Sequence, residues 1–325
     1  MEYVRLGHTG LKVSRLILGC MTYGDPKWSP WVLDEAASRP LIRRSLDLGV
    51  NTFDTADMYS TGASEEILGR ALKEWTTRQH MVIATKLYNP MGPEPNNRGL
   101  SRKHIFEAVD ASLRRLQTDY IDLYQIHRFD HDTPLEETLD ALNDVVRSGR
   151  VRYLGASSMF AWQFMKALGL QRRHGWAPFA SMQNHYSLLY REEEREMLPL
   201  CQEEGIGVIP WSPLARGYLA GNRGAATPAT NRAGTDKLGA SLFNNEPDRA
   251  IIAAVGTVAQ KLGCSMAQVA YAWAASRTGV TTPIFGISKL AQFDDAVASL
   301  TLRLEPDDVA IMEAPYVPRP IAGHS

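Results

Sequence analysis

Short apolar runs that end in Gly or polar residues, most of them followed by an amphipathic stretch, recur eight times along the 325 residues of this chain. They are Val13 to Gly19, Val50 to Asp54, Met81 to Lys86, Tyr120 to His127, Val151 to Ser157, Phe179 to Tyr186, Ile206 to Ser212 and Thr282 to Ser288. Strand-like runs alternating with helical ones imply parallel pairing, because parallel neighbours need a crossover and cannot be joined by a tight hairpin. About eight such units predict an α/β fold of the (β/α)8 TIM-barrel kind, with its functional groups at the C-terminal ends of the strands. Asp54, Lys86, His127, Ser157 and Ser212 all close their runs. Purely structural polar residues have no reason to choose that end.

A barrel of this class uses the whole length as one domain, here 1–325. Tyr3 to Leu6 and Lys12 to Leu16, turned by His8, Thr9 and Gly10, read as an N-terminal β-hairpin capping the base. Helical patterns cover Glu35 to Leu48, Ser64 to Trp75, Ser101 to Leu116, Pro134 to Arg147, Ala161 to Arg172, Glu192 to Glu204, Asp248 to Leu262, Ser265 to Ser276 and Leu290 to Leu300. Ser64 and Ser101 are the expected caps of their helices. Two irregular stretches, Tyr88 to Gly99 and Pro213 to Asn245, lie at the predicted C-terminal face and read as long lid loops.

A net charge of −1 argues against a nucleic-acid or anionic-membrane partner, since both need a basic face. The opening MEYVRLGHTG lacks a signal-length apolar core and no later stretch reaches the length of a membrane helix, so a cytoplasmic location is expected. Three dispersed cysteines give neither a disulfide framework nor a thiolate metal site. A buried thiol is the expectation for each, with Cys20, at the mouth of the first run, the partial exception that could be accessible and oxidisable. His127 and His131 have a His-x-x-x-His spacing, but on a strand and loop rather than one helical face, so no metal is expected. Gly205-Ile206-Gly207 precedes a strand and is not a Rossmann fingerprint.

Asp54, Tyr59, Lys86 and His127 come from the ends of three neighbouring runs and can converge. They make a proton-donating unit. A tyrosine acting as an acid needs its anion stabilised by a nearby cation, which Lys86 can supply. Asp54 can keep the ammonium protonated and oriented, while His127 offers a hydrogen bond or a proton relay. Carbonyl reduction needs such a donor, because hydride arriving at carbon leaves negative charge on oxygen.

The segments GVNTFDTADMYS, SEEILGRAL, VIATK, SLRRLQTDYIDLYQIHRFD, VRYLGASS, MQNHYSLL, GIGVIPWSPLARG and GISKLAQFDDA together resemble the aldo-keto reductases, in a branch similar to potassium-channel β-subunit-like reductases. The resemblance implies an NADPH-dependent barrel oxidoreductase acting on a small-molecule carbonyl, with Tyr59 as general acid. It implies cofactor contacts by Met21, Thr22 and Asp54, a carboxamide-binding set of Ser157, Ser158 and Gln183, and Trp211 stacked on the nicotinamide. It also implies a pyrophosphate segment of Ser212, Pro213, Leu214, Arg216 and Gly217, and an adenosine end of Gly286, Ser288, Lys289, Gln292 and Asp295. Ser158 and Ala296 depart from the family, standing where relatives often have Asn. Substrate selection is expected from Tyr23, Trp28, Trp31, Tyr88, Arg128 and Phe129. A fairly apolar pocket and one made acidic-selective by Arg128 both stay open, as does a homo-oligomer. An NADPH-binding regulatory subunit with little turnover is the alternative from another functional class, and a phosphosugar enzyme on the same barrel a weaker one.

Overall fold

The computed structural model describes residues 1–221, 234–243 and 245–324. Eight parallel strands neighbour one another in the order β10, β3, β4, β5, β6, β7, β8, β9. They are β3 (Ile17–Gly19), β4 (Thr52–Asp54), β5 (Val82–Leu87), β6 (Ile121–Ile126), β7 (Val151–Ser157), β8 (Phe179–Gln183), β9 (Gly207–Val208) and β10 (Ile284–Gly286). The ring closes through the lead into β10, where the Thr281 and Ile284 amides donate to the Val208 and Pro210 carbonyls at 2.8 and 2.9 Å. Helices alternate with the strands, as a chain of parallel crossovers requires. The fold is a (β/α)8 barrel.

The first run is two elements rather than one. Strands β1 (Tyr3–Arg5) and β2 (Lys12–Ser14) form an antiparallel hairpin, and β3 starts only at Ile17. Leu6 and Val13 of the hairpin join Ile17, Val82, Ala84, Leu123, Ile209 and Ile284 in one buried cluster, so the hairpin plugs the barrel's interior. The glycines Gly205 and Gly207 serve this plug. The His8 amide donates to the Gly205 carbonyl at 2.7 Å, and a Cβ on Gly207 would stand 2.7 Å from the Gly7 nitrogen.

Several boundaries shift from their expected places, each for a local reason. The seventh and eighth runs shorten to β9 and β10 because Pro210 and Pro283 have no N–H for a ladder. The Glu192 to Glu204 pattern splits into a 3-10 turn, Glu192–Glu194, and a helix, Met197–Glu203. A continuous helix would set the Pro199 ring against the Arg195 carbonyl, whereas Pro is tolerated in a first turn. Ser101 caps its helix, accepting from the His104 amide, but Ser64 does not cap. The helix Ala63–Trp75 begins on left-handed Gly62, and the Ser64 hydroxyl donates to the Cys20 carbonyl at 2.8 Å.

Alternation along the strands decides what reaches the site. Val82 and Ala84 face the barrel interior while Ile83 and Leu87 pack outward in the main core. Two residues past Ala84, Lys86 therefore points inward at the top of the packed layer. By the same period Asp54 shares its face with Thr52, Gln125 with Leu123, and Gln183 with Ser181, while Phe53, Tyr124 and Met182 sit in the outer core. Among the described residues no single helix is long and apolar enough to cross a membrane.

Candidate active site

Lys86 is fully buried, and its ammonium has three N–H donors to place. All three are used: Nζ donates to Asp54 Oδ1 at 2.6 Å, to the Thr55 carbonyl at 2.8 Å and to Tyr59 Oη at 3.2 Å. The other oxygen of Asp54, Oδ2, accepts from Gln183 Nε2 at 2.8 Å and Gln125 Nε2 at 3.1 Å. The carboxylate is thus held on both sides, which offsets the cost of burying the ion pair. Because Tyr59 Oη accepts from the lysine, the phenol's own proton is left to point elsewhere. Tyr59 lines the cavity described below, at 8% exposure.

The loop that carries Tyr59 is pinned. The Thr55 and Asp57 amides donate to the Ala84 and Lys86 carbonyls of β5, extending its edge. Tyr59 then opens a tight turn with Ser60, Thr61 and Gly62 in left-handed backbone. Eight non-glycine residues have positive φ among those described, and all but Gln117 lie in loops beyond the strands' C-terminal ends: Ser60, Thr61, Tyr88, Ser158, Ser212, Ala215 and Arg216. Backbone strain concentrated at one face is a mark of a functional site.

Burial governs the titration of the cluster. It holds the Tyr59 phenol above its ordinary range, with Lys86 pulling in the opposite direction and losing. Lys86 does favour the phenolate, as its expected role requires, but burial outweighs it and in this pocket the tyrosine is held protonated. Lys86 loses affinity for its proton through burial but regains more from Asp54 and Tyr59, and ends above its ordinary value. His127 is driven well below its ordinary value, first by burial and then by Lys86 and Arg128, so it is a neutral imidazole. Its Nδ1 lies 3.1 Å from Asn89 Nδ2. An amide nitrogen only donates, so Nδ1 accepts and the ring proton sits on Nε2. His127 stands edge-on to Tyr59 with centroids 6.0 Å apart.

Tyr59 and His127 line a cavity of about 950 Å³. Met21, Thr22, Trp28, Trp31, Asp54, Arg128, Ser157, Gln183 and Trp211 line it with them, and Ser212, Pro213, Leu214, Arg216, Gly217, Gly286, Ser288, Lys289, Gln292 and Asp295 continue it. These residues are brought together as the resemblance implies. Ser158 is buried beside the lining and accepts from Trp211 Nε1 at 3.1 Å. One face of Trp211 rests on His185, 4.2 Å away and nearly parallel, and His185 is stacked in turn on Tyr190 at 4.4 Å. Three stacked rings make Trp211 a stiff platform.

The segment after β9 turns through left-handed backbone at Ser212, Ala215, Arg216 and Gly217. Within it the Ala215 and Gly217 amides donate to the Ser212 and Leu214 carbonyls at 2.8 and 2.9 Å, which fixes the turn. A Cβ built on Gly217 or Gly286 would meet nothing within 4 Å, so both leave open room for a ligand to approach the backbone. The donor set, the ring platform and the cavity's volume fit a dinucleotide. Two charged members are already engaged: Arg216 is held bidentately by Asp236 at 2.6 and 3.0 Å, and Asp295 accepts from Ser265 and Gln268. Lys289 enters no ion pair among the described residues.

Other expectations land elsewhere. Tyr23 is fully buried in the core and does not line the cavity. Tyr88 and Phe129 also stay off the lining; Phe129 packs edge-on against His131 at 5.0 Å. The loop from Tyr88 to Gly99 closes on itself, the Gly99 amide donating to the Tyr88 carbonyl, and none of its residues lines the cavity. Of the second lid, 213–221 borders the cavity but 222–233 and 244 lie outside the described residues. Cys20 is fully buried, and burial raises its thiol pKa strongly, so it is neither accessible nor reactive. Among the described residues no group of three or more His, Cys, Asp or Glu is placed to hold a metal ion.

Sequence reasoning missed Gln125 and Asn89, the partners of Asp54 and His127. Gln125 was findable, since it sits two positions before His127 on an inward-facing strand and pairs in register with Lys86. The tail from Glu305 reads in the sequence as one more helix and a Pro-rich end, and the helix is Pro306–Glu313, but the tail's contacts near the site were missed. Arg319 donates to the Leu242 carbonyl and pairs with Asp248, the Ala322 amide donates to Tyr190 Oη, and His324 packs edge-on to Phe160. Gly323 thereby comes against Trp211.

The model of the Aldo/keto reductase family matches residues 15–316. Versiconal hemiacetal acetate reductase of Aspergillus parasiticus is 50% identical, over 99% of this chain and 98% of its own length. An aldo-keto reductase of Metarhizium robertsii is 44% identical over 100% of this chain and 94% of its own, and one of Alternaria alternata 43% identical over 99% and 94%. Barrel, site and relatives agree: the chain belongs to the aldo/keto reductase family, and is an oxidoreductase.

Proposed function

We propose that the chain is a cytoplasmic NADPH-dependent reductase of small-molecule aldehydes and ketones, carried on one barrel domain, with Tyr59 as the general acid. The observation that carries this reading is the donation of the third Lys86 N–H to Tyr59 Oη, which leaves the phenol proton for a ligand in the cavity. Trp211, Ser157 and Gln183 would hold a reduced nicotinamide, which would supply hydride to the carbonyl carbon. The carbonyl oxygen lies between Tyr59 and the Nε2–H of His127, which polarise it by hydrogen bonding. As charge develops on that oxygen, Tyr59 hands over its proton, and the buried ammonium of Lys86 stabilises the phenolate left behind. Asp54 keeps that ammonium charged and aimed.

The open room at Gly217 would admit the phosphates, and Lys289 with Ser288 would suit a 2′-phosphate, which favours NADPH over NADH. The relative from Aspergillus parasiticus is named for reducing a hemiacetal acetate, a masked aldehyde, which is in keeping with this chemistry. The test is NADPH oxidation across a panel of aromatic and aliphatic aldehydes, beside NADPH and NADH binding by cofactor fluorescence. Carbonyl-dependent oxidation with tighter NADPH binding is expected. Tight NADPH binding with no turnover on any carbonyl would favour a regulatory binding subunit, and absence of binding would sink the proposal.

A further inference from the structure

The substrate end of the cavity is apolar apart from the catalytic groups. Trp28 and Trp31 meet edge to face at 5.8 Å, and Pro30, Val32, Leu33 and Met58 complete that wall. One cation opens onto it. Arg128 lines the cavity half-buried, and its guanidinium donates from Nη1 to the His127 carbonyl at 2.5 Å. A guanidinium has five N–H donors, so most of its capacity remains. The other buried or half-buried arginines near this face are neutralised: Arg115 by Glu65, Arg191 by Glu194, Arg216 by Asp236 and Arg319 by Asp248. Arg128 enters no ion pair among the described residues.

Among the described residues its surroundings supply no anion. His127 is neutral, and His324, lowered to about 4 by burial and then by Arg128 itself, is neutral as well. Tyr59, Tyr88 and His185 are further titratable neighbours; Tyr59 is held protonated, and His185, lowered to about 3, is neutral. Asp54 is saturated by Lys86, Gln125 and Gln183. Burial without a counter-ion disfavours the Arg128 cation. A planar fork of donors in an apolar setting matches a carboxylate in shape as well as charge.

We infer that Arg128 determines substrate specificity by binding a carboxylate carried on the carbonyl substrate, so that the preferred substrates are aldehydes with an aromatic or alicyclic body and an acid group. The inference rests on the reductase reading and narrows its substrate class. The aromatic wall takes the body, Tyr59 and His127 the reacting oxygen, and Arg128 the acid group.

The test compares kcat/KM for 2-, 3- and 4-carboxybenzaldehyde with their neutral methyl esters, in wild type, Arg128→Met and Arg128→Lys. Wild type is expected to prefer at least one acid over its ester by about 10-fold or more, chiefly through KM, the size of a charge-assisted contact. In Arg128→Met that ratio falls to about one or below, and Arg128→Lys keeps part of it, since an ammonium restores the charge but not the fork. A wild-type ratio of one or less for all three isomers, or a ratio unchanged in Arg128→Met, overturns the inference. Benzoate binding to the NADPH complex, read by tryptophan fluorescence, separates the two claims. Binding lost in Arg128→Met while no aldehyde is turned over sinks the reductase reading and keeps the anion site. Reduction of the neutral esters with benzoate binding unaffected by the substitution does the reverse.

Discussion

Lys86→Met removes the cation at the centre of the site and isolates what the Asp54 pair contributes. The ion pair is 2.6 Å long, with side-chain exposures of 0% for Lys86 and 4% for Asp54, so solvent screens neither charge. Breaking such a pair from one side leaves a buried, uncompensated charge and costs about 3–5 kcal/mol. Gln125 and Gln183 still donate to Asp54 Oδ2 in the variant, which favours the lower end of that range. Asp54→Asn should cost a comparable amount, because it strands the ammonium with only the Thr55 carbonyl and Tyr59 Oη. In the double variant no charge is stranded, so its cost should fall short of the sum of the singles by about 2–3 kcal/mol. The assay is equilibrium urea unfolding of all four proteins, followed by the fluorescence of the seven tryptophans, with the slope in denaturant checked for constancy. Activity should not follow stability: the double variant regains much of the lost stability and none of the lost turnover, since the tyrosinate still lacks its ammonium. Costs that add to within about 0.5 kcal/mol would refute the reasoning, because the pair would then not be coupled.

The remaining expectations concern pH and the tail. Because burial holds Tyr59 above 10.0 and His127 well below 6.5, kcat/KM for reduction should be level from about pH 6.5 to 9 and fall only as pH rises through the Tyr59 pKa; a limb within that range contradicts the assignment. His185, lowered to about 3 inside its ring stack, binds a proton more readily unfolded than folded. Stability should therefore be full above about pH 6.5 and fall toward pH 3 by up to about 1.4 kcal/mol per pH unit from this group, a component that His185→Gln removes from urea midpoints measured at pH 7 and 5. Arg319→Gln strands the nearly fully buried Asp248 carboxylate and cuts the link to the Leu242 carbonyl, so amide exchange across 314–324 should speed up by at least about 100-fold, corresponding to about 3 kcal/mol; unchanged exchange would mean the tail is held by Tyr316 and Ala322 alone.

How far the sequence could be read follows from what its periodicities encode. Lys86 was legible because it closes its strand; that the period of two turns it inward with Val82 and Ala84 follows only once the structure shows which face is interior. The helix period found the outer layer from Glu35 to Ser276, with an end off by one residue at left-handed Gly62 and by five where Pro199 breaks the pattern and the helix starts at Met197 instead of Glu192. The four chemical residues were legible because they end neighbouring strands, and strand order is short-range information in a barrel. Asn89 and His324 were not legible. One lies in an irregular loop and the other at the end of a tail, and both meet the site through contacts that no local pattern records. Tyr23 misled for the opposite reason: it follows a strand end, as the true lining does, but the turn sends its ring into the core. The sign of the Tyr59 shift was also beyond the sequence, because it depends on how completely the phenol is buried against how close the ammonium comes.

The central claim is that Tyr59 donates the proton, and Tyr59→Phe tests it most directly, since the substitution removes one oxygen. The measurement is single-turnover oxidation of bound NADPH on mixing with an aldehyde, beside a fluorescence titration of NADPH into the same variant. The account predicts that NADPH binding still saturates while the reduction rate falls by about 10²–10⁴-fold, the size of a general-acid contribution. A variant that reduces the aldehyde within about 10-fold of the wild-type rate would show that the proton comes from elsewhere, and the account of the site would fail with it.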